Sequence, residues 1–462
     1  MRRPLLLVLV VAAVAGAAAL AWTAVANEQE YQRLIEAGDR SLAADLPFPA
    51  LEAYSGAIAL QPDAMLAHLK RGITYHARGE LDEALRDLRR ASELDPAATQ
   101  PLELTGDVYA ALARHDRAAD RYEAYLALDD RSARVLYKLA LARYRHGSVD
   151  QAIAPLRDAL ALDPSMAEAQ YLLGLCLRDV DRLDEAREAL EALARQSPGM
   201  VAAREALADV YARLGDGRRT MEQLEALTAL EPERPERLIA VGFAHAQAGR
   251  HDAAVVTLGR AIDRWPEAPR TYAALGQVWL DAAEARGDRV ALVKALEALT
   301  MAASRADAGG GTLMQLGRAW LLAGDVDSAE RYLRQAVARQ PAPPDAYRYL
   351  AQAAERLGRI DQARDALLRY ATLVGDTRPL ADVSARIARF SLQLEDPYTA
   401  AHWLDRAMDE AGPTVPLLTQ MAEAQLALGR PDEARRVIED GLGLEPTNRQ
   451  LLTLRRRLPP SS

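Results

Sequence analysis

Two stretches of the chain, GELDEALRDLRRASELDP at residues 79–96 and GSVDQAIAPLRDALALDP at residues 147–164, share one pattern and begin 68 residues apart, which is twice 34. Prolines mark the same period, because they recur at one place on a 34-residue grid at Pro62, Pro96, Pro164, Pro198, Pro232 and Pro266. A fixed period of this length predicts an array of identical supersecondary units that stack on one another.

The grid divides residues 31–448 into twelve units when the recurring proline is counted as position 32. The grid continues after a seven-residue insertion in the eighth unit and a three-residue insertion in the tenth. The units begin at Tyr31, Met65, Thr99, Ala133, Ala167, Val201, Pro235, Pro269, Gly310, Pro344, Ala381 and Val415.

Each unit is predicted to be a helical hairpin. Positions 4, 7, 8 and 11 have the spacing of one helical face, and positions 20, 24 and 27 form a second face. Position 8 is Gly or Ala in every unit, and position 20 is Ala in every unit except the sixth, which has Thr220. These small residues predict a close approach of the two helices. Glycine is common at position 15, between the helices, and the aspartate that recurs at position 18 is expected to cap the second helix.

The period, the small residues at positions 8 and 20 and the proline at position 32 resemble the tetratricopeptide repeat (TPR) over nearly all of the chain after residue 30. The resemblance implies an all-α fold, a right-handed α-solenoid of about twelve helix-turn-helix units whose first helices line a concave groove. We therefore expect four segments: a leader at residues 1–30, units 1–8 at 31–309, units 9–12 at 310–448, and a cap helix and tail at 449–462. The glycines at 309–311 predict a mobile joint between the two groups of units.

The leader predicts a location outside the cytoplasm. Residues 4–26 carry no charge and follow Arg2 and Arg3. A helix of that length can cross a bilayer core of about 30 Å, and the arginine pair is expected to stay on the cytoplasmic side. The first interpretation is a single-pass anchor in the inner or plasma membrane, with the repeats outside. The alternative is a signal peptide cleaved after Ala26, which would leave a secreted or periplasmic protein.

The composition makes several function classes improbable. The formal net charge is −9 and the longest basic run is residues 455–457, which disfavours a nucleic-acid partner. Cys176 is the one cysteine, so no internal disulfide or cysteine-rich metal site is available, and we expect it to be a small buried residue. No nucleotide-binding loop or spaced histidine cluster occurs in the sequence. We therefore expect no catalytic, metal or cofactor-binding residues and no enzymatic activity.

A stripe of side chains at positions 2, 5, 9 and 12 of each first helix lies beside the packing face, and the TPR resemblance implies that it lines the groove for a protein or peptide ligand. The predicted partner-binding residues are Tyr137, Leu141, Tyr144, Tyr171, Leu175, Ile239, Phe243, Arg318, Arg348 and Arg389. Tyrosine provides a large contact area with few torsions to restrict. The alternative is that the tyrosines pack against neighbouring helices at the edge of the core.

The leading functional hypothesis is a non-catalytic scaffold for protein–protein interactions outside the cytoplasm. The Ala- and Arg-rich composition and the leader suggest a bacterial envelope protein. By analogy with the family, its role would lie in polysaccharide export, pilus or secretion assembly, or outer-membrane assembly. The alternative is a structural protein whose units stack between molecules into filaments.

Overall fold

The computed structural model describes residues 2–305, 308–375 and 380–459, with side chains from residue 21 onward. All regular secondary structure in this part of the chain is helical. Its twenty-five helices are α1 (Arg2–Ala43), α2 (Pro47–Leu60), α3 (Met65–Ala77), α4 (Leu81–Leu94), α5 (Thr99–Ala111), α6 (His115–Leu126), α7 (Ala133–His146), α8 (Val149–Leu162), α9 (Ala167–Asp179), α10 (Leu183–Gln196), α11 (Val201–Arg213), α12 (Gly217–Leu230), α13 (Pro235–Gln247), α14 (His251–Arg264), α15 (Pro269–Arg286), α16 (Arg289–Ala303), α17 (Gly310–Ala323), α18 (Val326–Val337), α19 (Pro344–Arg356), α20 (Ile360–Val374), α21 (Ala381–Gln393), α22 (Pro397–Ala411), α23 (Val415–Ala427), α24 (Pro431–Leu444) and α25 (Arg449–Arg457).

The first twenty-four helices form twelve hairpins, one for each unit that the sequence predicts, and α25 follows the last hairpin. This confirms the all-α fold of tandem helix-turn-helix units. The chain forms two compact units, Met1–Leu230 and Glu231–Ser462. Within each of them, the apolar faces of successive hairpins pack on one another, so the core is a row of small clusters.

The leader and the first repeat share one helix, because α1 runs without interruption through 42 residues, a length of about 63 Å. None of the helices whose side chains are described is long and apolar enough to span a membrane. Most of the proposed membrane segment, residues 4–20, lies outside the part of the chain with described side chains.

The turn between the two helices of every hairpin contains one residue in the left-handed backbone region. Position 15 has a positive φ in eleven units, and Gly287 has it in the lengthened eighth hairpin. In seven units this residue is the glycine that the sequence pattern contains, which explains the pattern, since glycine adopts such angles without a steric penalty. In the other four units it is Asp45, Ala113, Asp181 or Glu395, with φ between 56° and 62°.

Glycine at position 8 allows the two helices of a hairpin to approach closely. A Cβ atom built on Gly174 would lie 2.5 Å from Cγ of Leu190, and one on Gly106 would lie 2.5 Å from Cε1 of Tyr122. Both partner residues occupy position 24 of the same unit. The close approach expected from the small residues is therefore confirmed.

The seven-residue insertion lengthens both helices of the eighth hairpin. Helix α15 has 18 residues and α16 has 15, whereas the helices of the preceding hairpin have 13 and 14. Gly276 still faces Leu299 at the usual contact, so the inserted residues extend the hairpin beyond it. Leu299 also shares a core cluster with Leu316 of the ninth unit. The predicted joint remains a prediction, and two of its residues, 306 and 307, lie outside the described residues.

The expectation that the aspartate of position 18 caps the second helix is wrong. In α4 the N-cap residue is Glu80 at position 16, and Asp82 lies within the first helical turn. There its negative charge interacts favourably with the N-terminal end of the helix dipole, but its side chain does not cap the helix. Aspartate does cap where it stands at position 16: the side chains of Asp325 and Asp396 accept hydrogen bonds from backbone N–H groups at 3.0 and 3.1 Å.

Two buried carboxylates join neighbouring helices through arginine. Asp87 of α4 accepts hydrogen bonds from Nε and Nη2 of Arg71 at 2.6 and 2.8 Å. Glu330 of α18 accepts hydrogen bonds from Arg334 and Arg359. Burial alone would raise the pKa of Glu330, but the hydrogen bonds and charges of the two arginines outweigh it and hold the pKa below its ordinary value.

The last hairpin is covered by α25. Leu451 and Leu454 are buried against Ala422 and Ile438, and the side chain of Asn448 caps the helix through the backbone N–H groups of residues 450 and 451. Helix α25 therefore occupies the apolar face on which a further hairpin would pack.

Candidate functional site

The predicted contact residues of the compact unit Met1–Leu230 lie at the edge of its core. Tyr137, Leu141, Tyr144, Tyr171 and Leu175 are partly buried and pack against the cluster built from α7 to α11. The remainder of each side chain stays accessible. The tyrosines therefore take part in packing, as the alternative interpretation expects, and still present surface to a ligand.

Tyr144 also makes a polar contact with the next repeat. Its hydroxyl donates a hydrogen bond to Oδ2 of Asp179 at 3.1 Å. Burial, and then the hydrogen bond to this carboxylate, raise the pKa of Tyr144 above its ordinary value. The phenol is consequently neutral at physiological pH, with its donor directed at Asp179.

In the compact unit Glu231–Ser462, three successive first helices form a concave site. A cavity of about 440 Å³ lies between α13, α15 and α17, with Leu299 of α16 also in its wall. Ile239 and Phe243 line it at positions 5 and 9 of α13. Ala273 and Gln277 line it at the same positions of α15, and Met314 at position 5 of α17. The side chains at these positions are mostly apolar. The site is named here the α13–α15–α17 cavity.

The rim of the α13–α15–α17 cavity is polar. Arg270 and Glu236 both occupy position 2 of their helices and form an ion pair at 3.3 Å. The amide of Gln277 makes no side-chain hydrogen bond with another residue in the described part of the chain. Apolar walls with a few convergent polar groups are characteristic of binding sites.

Ala273, Gln277 and Met314 are site residues that the sequence interpretation missed. They stand in the predicted stripe, but neither their size nor their charge marks them individually as ligand contacts in the sequence. Their register with Ile239 and Phe243 could have identified them, because equal positions in successive units lie side by side.

A second cavity, also of about 440 Å³, lies between α3, α5, α6 and α7 and includes Tyr137 and Leu141 in its wall. It is named here the α3–α5–α7 cavity. The hydroxyl of Tyr122 donates to Oδ1 of Asp107 at 2.8 Å, and Nζ of Lys138 donates to Oδ2 at 2.7 Å. Burial, followed by the charge of Asp107, raises the pKa of Tyr122, so its hydroxyl remains a donor.

The same three residue types meet in the first repeat. Tyr54 donates to Oδ1 of Asp39 at 2.7 Å, and Lys70 binds both oxygens of that carboxylate at 2.7 and 2.9 Å. In each case the tyrosine at position 24 passes the glycine at position 8 and reaches the aspartate at position 9, while the lysine comes from position 6 of the next unit. These two contacts use two of the three lysines of the chain, and each one ties adjacent repeats together.

The three predicted basic groove residues are each paired with a carboxylate. Nε of Arg318 donates to Glu284 at 2.8 Å, and its Nη1 lies 3.2 Å from Asp281. Arg348 lies 3.4 Å from Asp345 of its own helix. Arg389 donates to Glu355 at 2.5 Å, and Arg386 binds the other oxygen of this carboxylate. The positive charge at each of these three positions is therefore balanced by a neighbouring carboxylate.

Cys176 is fully buried in the core of α7 to α11, as expected. Burial raises the pKa of its thiol to about 12, so the nucleophilic thiolate is not populated at neutral pH. The described residues contain no group of three or more His, Cys, Asp and Glu side chains placed to hold a metal ion.

Comparison with known families agrees with the repeat geometry. A tetratricopeptide-repeat profile matches residues 50–99, 103–167, 137–201, 171–219, 205–269 and 314–377, and a second tetratricopeptide-repeat profile matches residues 415–440. The matches cover more than half of the chain, so the chain belongs to the TPR family. The repeats indicate a scaffold for protein–protein interactions.

Among curated proteins, the chain is similar to Protein bimA of Emericella nidulans, with 31% identity over 108 residues, which are 23% of this chain and 13% of that protein. The chain thus matches a small part of that relative. Among solved structures it is similar to YrrB, described as a TPR protein with an unusual peptide-binding site, at 25% identity, a TM-score of 0.39 and coverage of 41% of this chain and 98% of that one. It is also similar to the APC/C hetero-tetramer Cut9–Hcn1, at 14% identity, a TM-score of 0.38 and coverage of 93% and 96%.

Proposed function

We propose that this chain is a non-catalytic TPR scaffold whose first helices bind an extended segment of a partner protein. The observation that carries the proposal is the α13–α15–α17 cavity, where equal stripe positions of three successive repeats form one concave surface. Its volume is in the range of pockets that accommodate a ligand group. Phe243, Ile239 and Met314 supply the apolar contact area.

The cavity suits one apolar side chain of an extended segment. Full burial of such a side chain is worth about 1.5–3 kcal/mol, which corresponds to roughly 10- to 150-fold in affinity. The amide of Gln277 is placed to exchange a hydrogen bond with the backbone of the same segment, since an amide can donate and accept. The ion pair of Glu236 and Arg270 would limit access of water at the rim.

The test fills the cavity without removing any contact of the fold. Ala273 is only partly buried and lines the cavity, so Ala273→Trp should block it and abolish capture of partner proteins from the membranes of the native host. Ala285→Trp is the matched control, because Ala285 is exposed on the same helix and does not line the cavity. If Ala273→Trp captures the same partners as the unmodified chain while both variants unfold at the same temperature, the cavity is not the binding site.

We further propose that the scaffold acts outside the cytoplasm, in bacterial envelope, polysaccharide-export, pilus or secretion assembly. The support for this location is the uncharged run at residues 4–26 behind Arg2 and Arg3. The segment would either anchor the chain in the inner membrane or be cleaved after Ala26. Protease added to intact spheroplasts should digest the repeats of an anchored chain, and a cleaved chain should be recovered in the periplasm. Digestion only after lysis would contradict the proposed location.

The alternative of end-to-end self-assembly is disfavoured by α25, because it covers the apolar face of the last hairpin with Leu451 and Leu454. Measurement of molecular mass in solution tests this point. A mass that grows steadily with protein concentration would favour filaments.

A further inference from the structure

The α3–α5–α7 cavity borders a neutral network of charged side chains, of which Asp107 and Lys138 lie in its wall, and has further basic side chains outside that network. In the network, Nζ of Lys138 donates to Asp107 and to Oε1 of Glu103, both at 2.7 Å. The second oxygen of Glu103 accepts a hydrogen bond from Arg134 at 2.8 Å. Two carboxylates therefore meet two cations, and the formal charges of this network sum to zero.

Three basic side chains of the cavity remain outside this network. Nδ1 of His115 is buried and has no hydrogen-bond partner in the described part of the chain. His76 and Arg145 also line the cavity, and neither makes a side-chain hydrogen bond or ion pair with another described residue. The guanidinium of Arg145 is consequently the uncompensated formal charge of the cavity wall.

A buried polar atom without a partner costs free energy that a ligand can recover. A carboxylate would accept a hydrogen bond from the guanidinium of Arg145, and a reorientation of the His115 imidazole would bring its buried Nδ1 within reach of the same carboxylate. Hydrogen bonds to charged groups are the stronger ones. The remaining wall is aromatic and aliphatic, with Tyr137 and Leu141 at positions 5 and 9 of the predicted stripe. These side chains can pack against a short aliphatic stem.

We propose that the α3–α5–α7 cavity binds the side-chain carboxylate of a glutamate or aspartate in the extended segment of a partner protein. The formal charges of Asp107, Lys138 and Arg145 in the cavity wall sum to +1, which fits a monoanion better than a phosphate dianion. The position of Tyr137 and Leu141 on the stripe connects the cavity to the surface of the first helices. This inference rests on the proposed function and specifies one chemical feature of the bound segment.

The experiment uses two pools of fluorescein-labelled octapeptides that are random except for a central residue, glutamate in one pool and glutamine in the other. Their binding to the purified full chain is followed by fluorescence polarisation at low ionic strength. The glutamate pool is expected to bind at least about fivefold more tightly, because a charge-assisted hydrogen bond is added to the same backbone contacts. The preference is expected to shrink as salt is added, since an accessible charge pair is screened.

Two variants and a control locate the effect. Arg145→Gln should reduce the preference to less than about twofold, because the glutamate pool loses more affinity than the glutamine pool. His115→Ala should reduce the preference several-fold. Arg121→Gln removes the same charge from an exposed position that does not line the cavity, so it should retain the full preference. Equal preference in Arg145→Gln and the unmodified chain would overturn the inference.

The remaining outcomes separate this inference from the proposed function. If both pools bind equally well, the groove binds peptides and the acidic specificity is wrong. If neither pool binds at millimolar concentration, the proposed function fails and the inference fails with it. If inorganic phosphate displaces the glutamate pool at concentrations similar to those of the peptides, the cavity is a general anion site, which also overturns the inference.

Discussion

Gly242 and Gly259 lie in the same hairpin, and alanine at each position separates two opposing effects. Both are interior residues of helices, Gly242 in α13 and Gly259 in α14. A Cβ atom on Gly242 would lie 2.7 Å from Cγ and 2.8 Å from Cδ2 of Leu258, whereas a Cβ atom on Gly259 would meet no atom within 4 Å. The two substitutions therefore share one change in helix propensity and differ in packing.

The expected magnitudes follow from these distances. Alanine is favoured over glycine in a helix interior by roughly 1 kcal/mol, so Gly259→Ala should stabilise the hairpin by about that amount. The same benefit applies at position 242, but Leu258 is fully buried, and forced overpacking costs about 1–3 kcal/mol. Gly242→Ala should therefore be neutral to destabilising by about 2 kcal/mol, and the two variants should differ by about 1–3 kcal/mol.

Hydrogen exchange of residues 235–264 is the appropriate assay, because a repeat array need not unfold in one step. A difference of 1–3 kcal/mol corresponds to roughly 5- to 150-fold in the exchange rate of the protected amides. Five other units carry alanine at position 8, so a hairpin can be built around that methyl group. The predicted cost arises because the two helices of this hairpin are spaced for glycine, so an added methyl group overlaps Leu258. Equal stabilisation by both variants would refute the argument that position 8 sets the helix spacing.

The other predictions concern the turns and the buried ion pairs. Ala113→Gly should stabilise the third hairpin by up to about 1 kcal/mol in hydrogen exchange, because alanine is strained at φ 56°; unchanged or faster exchange would contradict it. Asp87→Asn should cost about 3 kcal/mol in thermal or denaturant unfolding, since it leaves Arg71 without its buried partner, whereas Asp82→Asn in the first turn of the same helix should cost less than about 1 kcal/mol. The stabilisation that the depressed pKa of Glu330 provides is present above its unfolded-state value of 4.5 and is lost as pH falls through the lower folded-state pKa. The protection of the α18 amides, after correction for the intrinsic exchange rate at each pH, should therefore decrease below pH 4.5 in the unmodified chain, and Glu330→Gln should remove this acid dependence.

The hairpins could be predicted from the sequence because their main contacts lie within one period. Gly174 and Leu190 stand 16 residues apart, and their equivalents recur in unit after unit, so a small residue at one position and a large one at the other identify the contact. The turns were predictable only in part. Seven glycines mark them, but nothing in the residues themselves indicates that Ala113 has a left-handed backbone angle.

The candidate site could be predicted as a stripe and not as two cavities. Ile239 and Phe243 belong to one helix, whereas their neighbours Ala273 and Met314 come from the next two units, and the rotation between units decides which of these side chains meet. The ion pairs depend on the same rotation, since Arg318 finds its partners in the preceding repeat. For this reason the sequence identifies the arginines of the groove but not the carboxylates that pair with them.

The central claim is that the first helices bind a partner on their concave side, and site-specific photo-crosslinking tests it most directly. A photoreactive phenylalanine analogue at Phe243 reports on the α13–α15–α17 cavity, and the same analogue at Val256, which is exposed on the second helix of that hairpin, serves as the control. Our account predicts that irradiation in the native host yields a discrete crosslinked protein from position 243 and none from position 256. Crosslinking from position 256 alone, or to the same partner with equal yield from both positions, would contradict it.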